Sequence, residues 1–311
     1  MGFHDLVRTS ALLQQDKLCE PSAWLGHIPF GAWLVDITKP QILVELGAHF
    51  GHSYFTFCSS ILNNNLSSHC YAVDTWHGDV HAGQYADEIY CSVKQHNDSY
   101  YSAFSRLLRM TFDEASLKFS DGSVDFLHID GLHTYEAVQH DFETWLPKLS
   151  DSAVVLLHDT NVRERDFGVW RLWEELSCKY PNIHFDHSHG LGVLFVGKEQ
   201  PLAVQELLKE WSDPEGQATI KQFFARLGRI VELEWQVDSL NLNPMESIAQ
   251  VIDKLNQALS ERDRQLDVHI DKLNQVKVEL ETNNKSLSWR ITKPLRFVER
   301  QVNKILRIFN I

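Results

Sequence analysis

The sequence has few cysteines and no long apolar run. Its five Cys are irregularly spaced, none of them forms a CxxC pair, and they stand at positions 19, 58, 70, 91 and 178. An odd number in this arrangement argues against a disulfide framework and against a thiolate metal site. No apolar run reaches about 18 residues, so no transmembrane helix is predicted. We therefore expect a protein of a reducing compartment, the cytoplasm.

Targeting signals are also lacking near the amino terminus. The stretch MGFHDLVRTSALLQQ has no basic region followed by an apolar core, and Leu6 stands where a myristoylation signal requires Ser or Thr. Glycine and proline are sparse, with 15 and 9 residues among 311, while 43% of the residues are hydrophobic. Such a chain can bury one sizeable core and still carry an appendage.

Charge is distributed unevenly along the chain. The formal net charge is -13, but residues 285 to 311 hold seven Lys or Arg and one Glu, a balance of +6 that leaves -19 on residues 1 to 284. An acidic body argues against nucleic-acid binding, whereas a basic tail suits an acidic partner or an anionic membrane surface.

Short β-branched runs alternate with helical stretches from about residue 38 to residue 198. Five strands are predicted, at Ile42–Glu45, Cys70–Asp74, Val124–Asp130, Ala153–Asp159 and Gly192–Gly197. Strands separated by helices predict an α/β fold with a doubly wound, mostly parallel sheet. Ligands of such sheets bind beyond the carboxyl ends of the strands, where the acidic residues of this sequence fall.

The first strand is followed by a glycine loop, in the stretch ELGAHFGHS. Gly47 and Gly51 permit sharp turns and a close approach to a ligand, and the amides of the next helix can receive a carboxylate or phosphate. A plain strand-to-helix turn would look the same. The dinucleotide fingerprint GxGxxG is not met, because position 49 is His49.

The second strand ends at Asp74, 29 residues beyond Glu45. A carboxylate at this position is suited to accept both hydroxyls of a ribose, and Trp76 adds an aromatic side chain nearby. The alternative is a surface Asp that caps the next turn. Together with the glycine loop, Asp74 favours a nucleoside ligand.

Two further predicted strands end in ionisable residues. Asp130 ends one, with His133 three residues later, and His158 with Asp159 ends the next. Carboxylates and imidazoles that converge from adjacent strands can hold Mg²⁺ or Mn²⁺. They can equally supply a general base, since His titrates near neutrality. A single His would more often be a hydrogen-bonded core residue, but several such groups at two strand ends favour a site.

At this point the chain resembles a known family. VELGAHFGHS, AVDTWHGD, HIDGLHTYEAVQHDFETWLPKL, LLHDTNV and FGVWRLWEEL look like the motifs of class I S-adenosylmethionine-dependent methyltransferases, in particular the group associated with bacterial surface-polysaccharide synthesis. The resemblance covers roughly residues 38 to 198. It implies a Rossmann-like methyltransferase fold.

The resemblance also implies roles for individual residues. The loop with Glu45, Gly47, Gly51 and Ser53 would hold the methionine end of S-adenosylmethionine, and Asp74 with Trp76 would lie at its ribose. Metal-dependent relatives that act on sugars and catechols place acids where Asp130 and Asp159 stand, and some sugar-modifying relatives have a His at the position of His133. The resemblance thus implies a metal set of Asp130, His158 and Asp159, with His133 and Asp130 as catalytic residues.

One departure from the family concerns His158. Relatives have two carboxylates or an Asp-Asn pair where this chain has His158 and Asp159. A mechanism without metal, in which His133 acts as the base, therefore stays open beside a mechanism with Mg²⁺ or Mn²⁺.

A heptad repeat follows the methyltransferase-like region. Apolar residues recur every seven positions from Met245 to Leu287, and a second register from Ile248 to Asn283 is partly polar. This pattern is typical of a coiled coil and predicts a homo-oligomer. A single amphipathic helix lying on the domain is the alternative.

The last residues form a different pattern. After Pro294, apolar residues fall at spacings of three and four between Leu295 and Phe309, with basic residues elsewhere around the predicted helix. Such a helix suits an anionic membrane surface or a partner chain equally. The phrase SWRITKPLR resembles a segment of bacterial glycan-assembly enzymes, so a glycosyltransferase is an expected partner and the inner face of the membrane an expected location.

These observations predict a division of the chain into a lead-in (1–37), a methyltransferase domain (38–240), a coiled coil (244–288) and a basic tail helix (289–311). The predicted function is O-methylation of a sugar hydroxyl in a bacterial surface glycan or its nucleotide-sugar type precursor. Two alternatives stay open. One is a non-catalytic scaffold with a methyltransferase fold, and the other is N-methylation of an amino sugar or small metabolite.

Overall fold

A computed structural model describes residues 8–13, 22–79, 83–84 and 87–242, with a few isolated helical positions between 264 and 304. The chain divides into two compact units, Met1–Val237 and Asp238–Ile311. Apart from those isolated positions, the predicted coiled coil (244–288) and tail helix (289–311) lie outside the described residues, and both stay predictions. No helix in the described part of the chain has the length and apolarity that crossing a membrane requires.

The first unit is built on a seven-stranded sheet. Its strands, together with a two-stranded hairpin formed by β3 and β4, are β1 Ile42–Leu46, β2 His69–Asp74, β3 Gly78–Asp79, β4 Gly83–Gln84, β5 Ser105–Arg109, β6 Val124–Ile129, β7 Leu149–His158, β8 Asn182–Phe185 and β9 Leu191–Phe195. The order across the sheet is β5-β2-β1-β6-β7-β9-β8. The first five strands of this order are parallel, whereas β9 runs antiparallel to both of its neighbours.

All five predicted strands are present, with ends that differ by a few residues. Asp130 and Asp159 lie one residue beyond β6 and β7, and those two strands are neighbours, as predicted. The prediction of a mostly parallel sheet is confirmed, and within the seven-stranded sheet β9 pairs antiparallel with β7 and with β8. A short loop joins β8 to β9, and a connection of that kind permits only antiparallel pairing. The strands β5 and β8 have no counterpart among the predicted strands.

Helices cover both faces of the sheet. They are α1 Ile28–Thr38, α2 His52–Asn63, α3 Asp87–Tyr100, α4 Phe112–Ser116, α5 Tyr135–Trp145, α6 Val169–Ser177, α7 Leu202–Trp211 and α8 Pro214–Leu242. One hydrophobic cluster joins the sheet to α1, α2, α7 and the first half of α8, and a second joins the opposite face to α4, α5 and α6. The fold is therefore a three-layer α/β arrangement.

The helix α1 belongs to the core although it lies within the predicted lead-in. Trp33 and Leu34 are fully buried, and a short 3-10 turn at Ala23–His27 precedes the helix. Ser22 caps that turn by accepting a hydrogen bond from the Trp24 N–H at 3.1 Å. Residues near position 23 are thus fixed near the carboxyl ends of the parallel strands.

The direction of chain progression reverses between β1 and β6. From β1 the chain passes to β2 on one side, and it returns to place β6 on the other side. Connections on opposite sides leave a crevice at the carboxyl ends of these two strands. The residues that follow them, Gly47 and Asp130, lie at this crevice.

Candidate active site

The glycine loop after β1 has an unusual backbone. Gly47, His49 and Gly51 have φ values of 89°, 46° and 83°, so alternate residues lie in the left-handed region. A Cβ on Gly47 would lie 2.1 Å from the Asp130 carbonyl oxygen, which requires glycine there. His49 adopts the same region at a cost of about 1 kcal/mol, a strain that surrounding contacts must offset.

Asp74 provides those contacts. Its Oδ2 accepts a hydrogen bond from the His49 N–H at 3.0 Å, and its Oδ1 accepts one from the Trp76 N–H at 2.7 Å. The Trp76 indole in turn donates to the His49 carbonyl at 2.9 Å. The loop and the end of β2 are thus one hydrogen-bonded unit. The Trp76 ring is fully buried and contacts Tyr90, so this side chain helps to fix the glycine loop.

Glu45 lies beneath the loop and is completely buried. The Ser53 hydroxyl donates a hydrogen bond to its Oε1 at 2.6 Å, and His128 Nδ1 lies 3.3 Å from its Oε2. Trp24 donates to the other nitrogen of His128 at 3.2 Å. Burial raises the pKa of Glu45, although the His128 imidazole and these contacts oppose the shift. Glu45 and Ser53 therefore connect β1 to α2 below the crevice.

A cluster of carboxylates and imidazoles stands at the ends of β6 and β7. His133 Nε2 lies 3.3 Å from Asp130 Oδ1 and 3.0 Å from Asp159 Oδ2. His189, which follows β8, lies with its Nδ1 3.2 Å from Asp159 Oδ1. One ligand atom each of Asp130, His133 and Asp159 falls within 4.8 Å of the other two. This set differs from the predicted metal set by having His133 in place of His158.

His158 lies just behind that cluster and is 5% exposed. Its Nε2 lies 3.2 Å from the Ser188 carbonyl oxygen, which can only accept, so this nitrogen carries a proton. Its Nδ1 lies 3.4 Å from Asp130 Oδ1 and 3.5 Å from Asp159 Oδ1. A lone pair directed at carboxylates would be repelled. The arrangement therefore needs a second proton on His158 or a cation among these groups.

Titration behaviour follows from these contacts. Burial works against protonation of His133, but Asp130 and Asp159 outweigh it and raise its pKa to about 10. For His158 burial again opposes protonation, yet the charge of Asp130 raises its pKa. Burial of Asp130 is outweighed by His158 and His133, and its pKa is lowered well below the ordinary value. Negative charge at this edge is thus balanced by imidazolium groups that a cation could replace.

Two adjoining cavities open at this edge of the sheet. The first, of about 370 Å³, is lined by residues that include Gly47, Asp74, Asp130, His158 and Asp159. The second, of about 510 Å³, shares His133, Asp159 and His189 with the first and extends along residues 161–167. The structure therefore places the predicted ribose residue, the glycine loop and the ionisable cluster around one space.

Several lining residues have no counterpart in the sequence prediction. They are Ser22 and Ala23 before α1, Thr111 and Phe112 after β5, Gly131, and His189 in the loop between β8 and β9. Recognising β5 would have pointed to Thr111 and Phe112, since they follow a strand end. The sequence gives no comparable signal for Ser22 and Ala23, because their approach depends on how α1 packs.

A buried carboxyl lies next to the site, on α5. Asp141 is 7% exposed, and its Oδ2 lies 3.6 Å from the point where a Cβ on Gly131 would stand. Burial raises its pKa from an ordinary 3.8 to about 7, with His140 opposing the shift and Asp113 adding to it. Its folded-state pKa exceeds the unfolded one, so the folded protein binds more protons and loses stability as pH rises from about 4 to 7.

Asp141→Asn is therefore expected to stabilise the protein at high pH. Its advantage in free energy of unfolding should grow by about 1.4 kcal/mol per pH unit between the two pKa values and level off above pH 7. Urea denaturation of both proteins at pH 5 and pH 8 measures this. Glu143→Gln, at an exposed position of the same helix, is the control. A difference that does not change with pH would contradict the assignment.

Comparison with known proteins agrees with this arrangement. Residues 44–160 match a family model described as a methyltransferase domain. The matched segment runs from β1 to just beyond β7 and includes Glu45, Gly47, Asp74, Asp130 and Asp159. The segment that holds these residues is therefore similar to a methyltransferase domain, and it lies within the mostly parallel seven-stranded sheet.

Individual relatives were also found. An uncharacterized protein of Sinorhizobium fredii is 50% identical over 225 residues, which make up 72% of this chain and 25% of that protein. The chain thus spans about a quarter of the length of that curated relative. Among solved structures, the O-methyltransferase TomG from Streptomyces achromogenes, in complex with S-adenosylmethionine, is 12% identical with a TM-score of 0.41, covering 58% of this chain and 92% of its own. A methyltransferase from Geobacter sulfurreducens is 16% identical with a TM-score of 0.42, covering 57% and 80%.

Proposed function

We propose that this chain is an S-adenosylmethionine-dependent O-methyltransferase that acts on a sugar hydroxyl of a bacterial surface glycan or of its precursor. One observation carries the proposal. The cavity beside the glycine loop and Asp74 is continuous with the cluster of Asp130, His133 and Asp159. A cofactor held at the first group would direct its reactive end toward the second.

The first cavity offers matching groups for the parts of such a cofactor. The Asp74 carboxylate accepts hydrogen bonds from the N–H groups of His49 and Trp76. A carboxylate is an acceptor with about four lone-pair sites, so we propose that it also accepts the hydroxyls of a ribose. Thr111, Phe112 and Gly131 line the part of the cavity where an adenine would lie flat. Gly47 and Gly51 keep the loop backbone open to the methionine end.

S-adenosylmethionine supplies a methyl group on a sulfonium sulfur, which is a good leaving group. The acceptor oxygen attacks that methyl carbon as the carbon–sulfur bond breaks, and the hydroxyl proton must pass to a base. His133, at the junction of the two cavities, is the proposed receiver. The ring is held by stacking on Phe167 at 4.7 Å and 6°.

The residues at the junction also suit a divalent cation. Asp130 and Asp159 present carboxylate oxygens beside imidazole nitrogens, a donor set that Mg²⁺ or Mn²⁺ accepts. The orientation of His158 Nδ1 toward the same carboxylates supports a positive charge at this point. We propose that Asp130 and Asp159 would hold such an ion, with His158 behind them, and that a bound ion would supply Lewis-acid activation of the acceptor hydroxyl.

The proposed cofactor site predicts that Asp74→Ala loses affinity for S-adenosylhomocysteine. Hydrogen bonds to a charged group contribute about 1.5–3 kcal/mol each, so loss of the carboxylate should weaken binding by roughly 10²-fold or more. Isothermal titration calorimetry of the full chain measures this.

A matched control for Asp74 stands elsewhere in the sheet. Asp125 Oδ2 also accepts two backbone hydrogen bonds, from the N–H groups of Gln41 and Ile42 at 2.8 and 3.0 Å. Asp125→Ala should lower stability without changing cofactor affinity. Equal affinities of the Asp74→Ala and wild-type proteins would remove Asp74 from the site. A folded wild-type protein that binds no S-adenosylhomocysteine would overturn the proposed function.

A further inference from the structure

The second cavity has a wall that the cofactor does not require. Residues 161–165 and Phe167 form this wall of a space of about 510 Å³, which is also lined by His49, His52 and His189. The wall contains Arg163 and Arg165, in a chain whose formal net charge is -13. Because acidic residues outnumber basic ones in this chain, two arginines in one wall of the second cavity are not expected by chance.

Arg165 lines the cavity and has an unusual backbone conformation. Its φ is 51°, in the left-handed region that residues with a Cβ rarely adopt. Its guanidinium carbon lies 5.7 Å from the centre of the Phe167 ring, and that ring also stacks on His133. One aromatic ring thus separates a cationic group from the proposed base. Strain of this kind persists where the local structure is needed for function.

Arg163, in the same wall, contacts an aromatic ring and a glutamate. Its guanidinium lies over the Trp170 ring at 4.3 Å and donates to Glu174 Oε1 at 3.0 Å. Both side chains of this ion pair are 58% exposed, and exposed pairs contribute little. A phosphate group that offers two oxygens in one plane would bind a guanidinium more strongly than Glu174 does.

Two acidic residues, Glu164 and Asp159, also line this cavity. Glu164 lies in the same wall. Asp159 also lines the cavity, but its two oxygens lie 3.0 Å from His133 and 3.2 Å from His189. The two arginines therefore outnumber the one glutamate in this wall, and Asp159 is already paired with imidazoles.

We propose that the acceptor carries a phosphate or diphosphate group, which Arg163 and Arg165 bind while the hydroxyl to be methylated lies beside His133. The inference rests on the proposed methyltransferase function and names the charge class of its acceptor. A sugar linked to a nucleoside diphosphate and a sugar linked to a lipid diphosphate share this chemistry. A neutral, finished glycan does not.

The test is calorimetric titration of the full chain with inorganic pyrophosphate in the presence of EDTA, with and without S-adenosylhomocysteine. Chelation removes any ion that could bind the probe by itself. Wild-type protein is expected to bind pyrophosphate, and Arg165→Gln should weaken binding about 10- to 100-fold, as expected for charge-assisted hydrogen bonds. The double variant with Arg163→Gln should bind more weakly still.

Arg171→Gln is the matched control. Arg171 also pairs with a glutamate, lying 3.5 Å from Glu175, and also covers an aromatic ring, that of Tyr135 at 4.0 Å, but it does not line the cavity. Its substitution should leave pyrophosphate affinity unchanged. S-adenosylhomocysteine affinity should be the same in all these variants.

Each outcome separates the inference from the proposed function. Binding of S-adenosylhomocysteine without binding of pyrophosphate, or equal pyrophosphate affinity in the arginine variants, overturns the inference and leaves the methyltransferase proposal standing. Failure to bind S-adenosylhomocysteine, with pyrophosphate held through the arginines, overturns the methyltransferase proposal instead. Uridine diphosphate and farnesyl diphosphate then identify the source, since the tighter of the two shows whether a nucleoside or a lipid accompanies the diphosphate.

Discussion

Replacing His133 with Ala is expected to lower kcat by roughly 10²- to 10⁴-fold, the range for loss of a general base. A sugar hydroxyl is a poor nucleophile at neutral pH, so its proton must leave as the oxygen attacks. His133 lies at the junction of the two cavities and contacts Asp130 and Asp159, but it does not belong to the glycine loop. The affinity for S-adenosylhomocysteine should therefore stay nearly unchanged. Turnover with a purified acceptor measures kcat, and calorimetry with S-adenosylhomocysteine measures the affinity.

His140→Ala is the control for this substitution. His140 also pairs with an aspartate, Asp113 at 2.9 Å, but it is exposed on α5 and lines neither cavity. Its loss should leave kcat unchanged. If His133→Ala retains most of the wild-type kcat, the base must be another group. His189 is then the first alternative, because it is paired with Asp159 and lines both cavities.

The role of His133 as a base depends on what the two carboxylates contact. With both directed at its Nε2, the pKa of His133 is about 10, so the imidazole is protonated at neutral pH and cannot accept a proton. A cation bound by Asp130 and Asp159 would offset the negative charge of these carboxylates, and they would then raise the pKa of His133 less. A bound metal ion would therefore help His133 to act as a base, so the two proposed roles support each other.

The sequence predicted the inner part of this site because strand ends are visible in it. The strands β6 and β7 are rich in apolar residues, with the run AVVLL in β7, and each is followed at once by an ionisable residue, Asp130 or Asp159. In a parallel sheet such ends must meet at one edge. The glycine loop and Asp74 were predictable for the same reason.

The rest of the site depends on features with weak local signals. The strand β5 has the sequence SRLLR, with arginines at an edge of the sheet, so it lacks the continuous apolar pattern of a central strand. The loop that brings His189 to Asp159 contains Ser188, His189 and Gly190, all with positive φ. Only Gly190 of these three favours that conformation intrinsically. The position of His189 therefore could not be inferred before the structure.

The sequence also could not distinguish the two histidines of the cluster. Spacing along the chain puts His158 directly before Asp159, which suggests that both face the cavity. Both do line the first cavity, but the His158 nitrogen nearest the carboxylates lies 3.4 Å from Asp130 and 3.5 Å from Asp159, whereas His133 Nε2 lies 3.3 and 3.0 Å from them. His133, which belongs to the loop after β6, approaches from the open side. That difference arises from backbone direction at the strand ends.

Removal of divalent metal is expected to abolish activity, and added Mg²⁺ or Mn²⁺ should restore it. A bound ion would contribute several kcal/mol of stabilisation to the developing alkoxide, so its removal should lower kcat roughly 10²-fold or more. Asp159→Ala should behave like the metal-free wild-type protein and bind Mn²⁺ weakly in calorimetry. Asp186→Ala, which removes an exposed partner of His184 and Lys221, is the control and should keep both activity and ion affinity.

The combination of Asp159→Ala with His133→Ala tests whether ion and base serve one transition state. If they do, the double variant should lose little more activity than the more damaging single variant, because each change already removes the activated hydroxyl. Multiplied losses would mean that the two residues act in separate steps. Full activity in the presence of a chelator would contradict the metal role and leave Asp130 and Asp159 with a different function. Their 3.3 and 3.0 Å contacts with Nε2 would then orient His133, and the tendency of this pair to keep the imidazole protonated would favour His189 as the base.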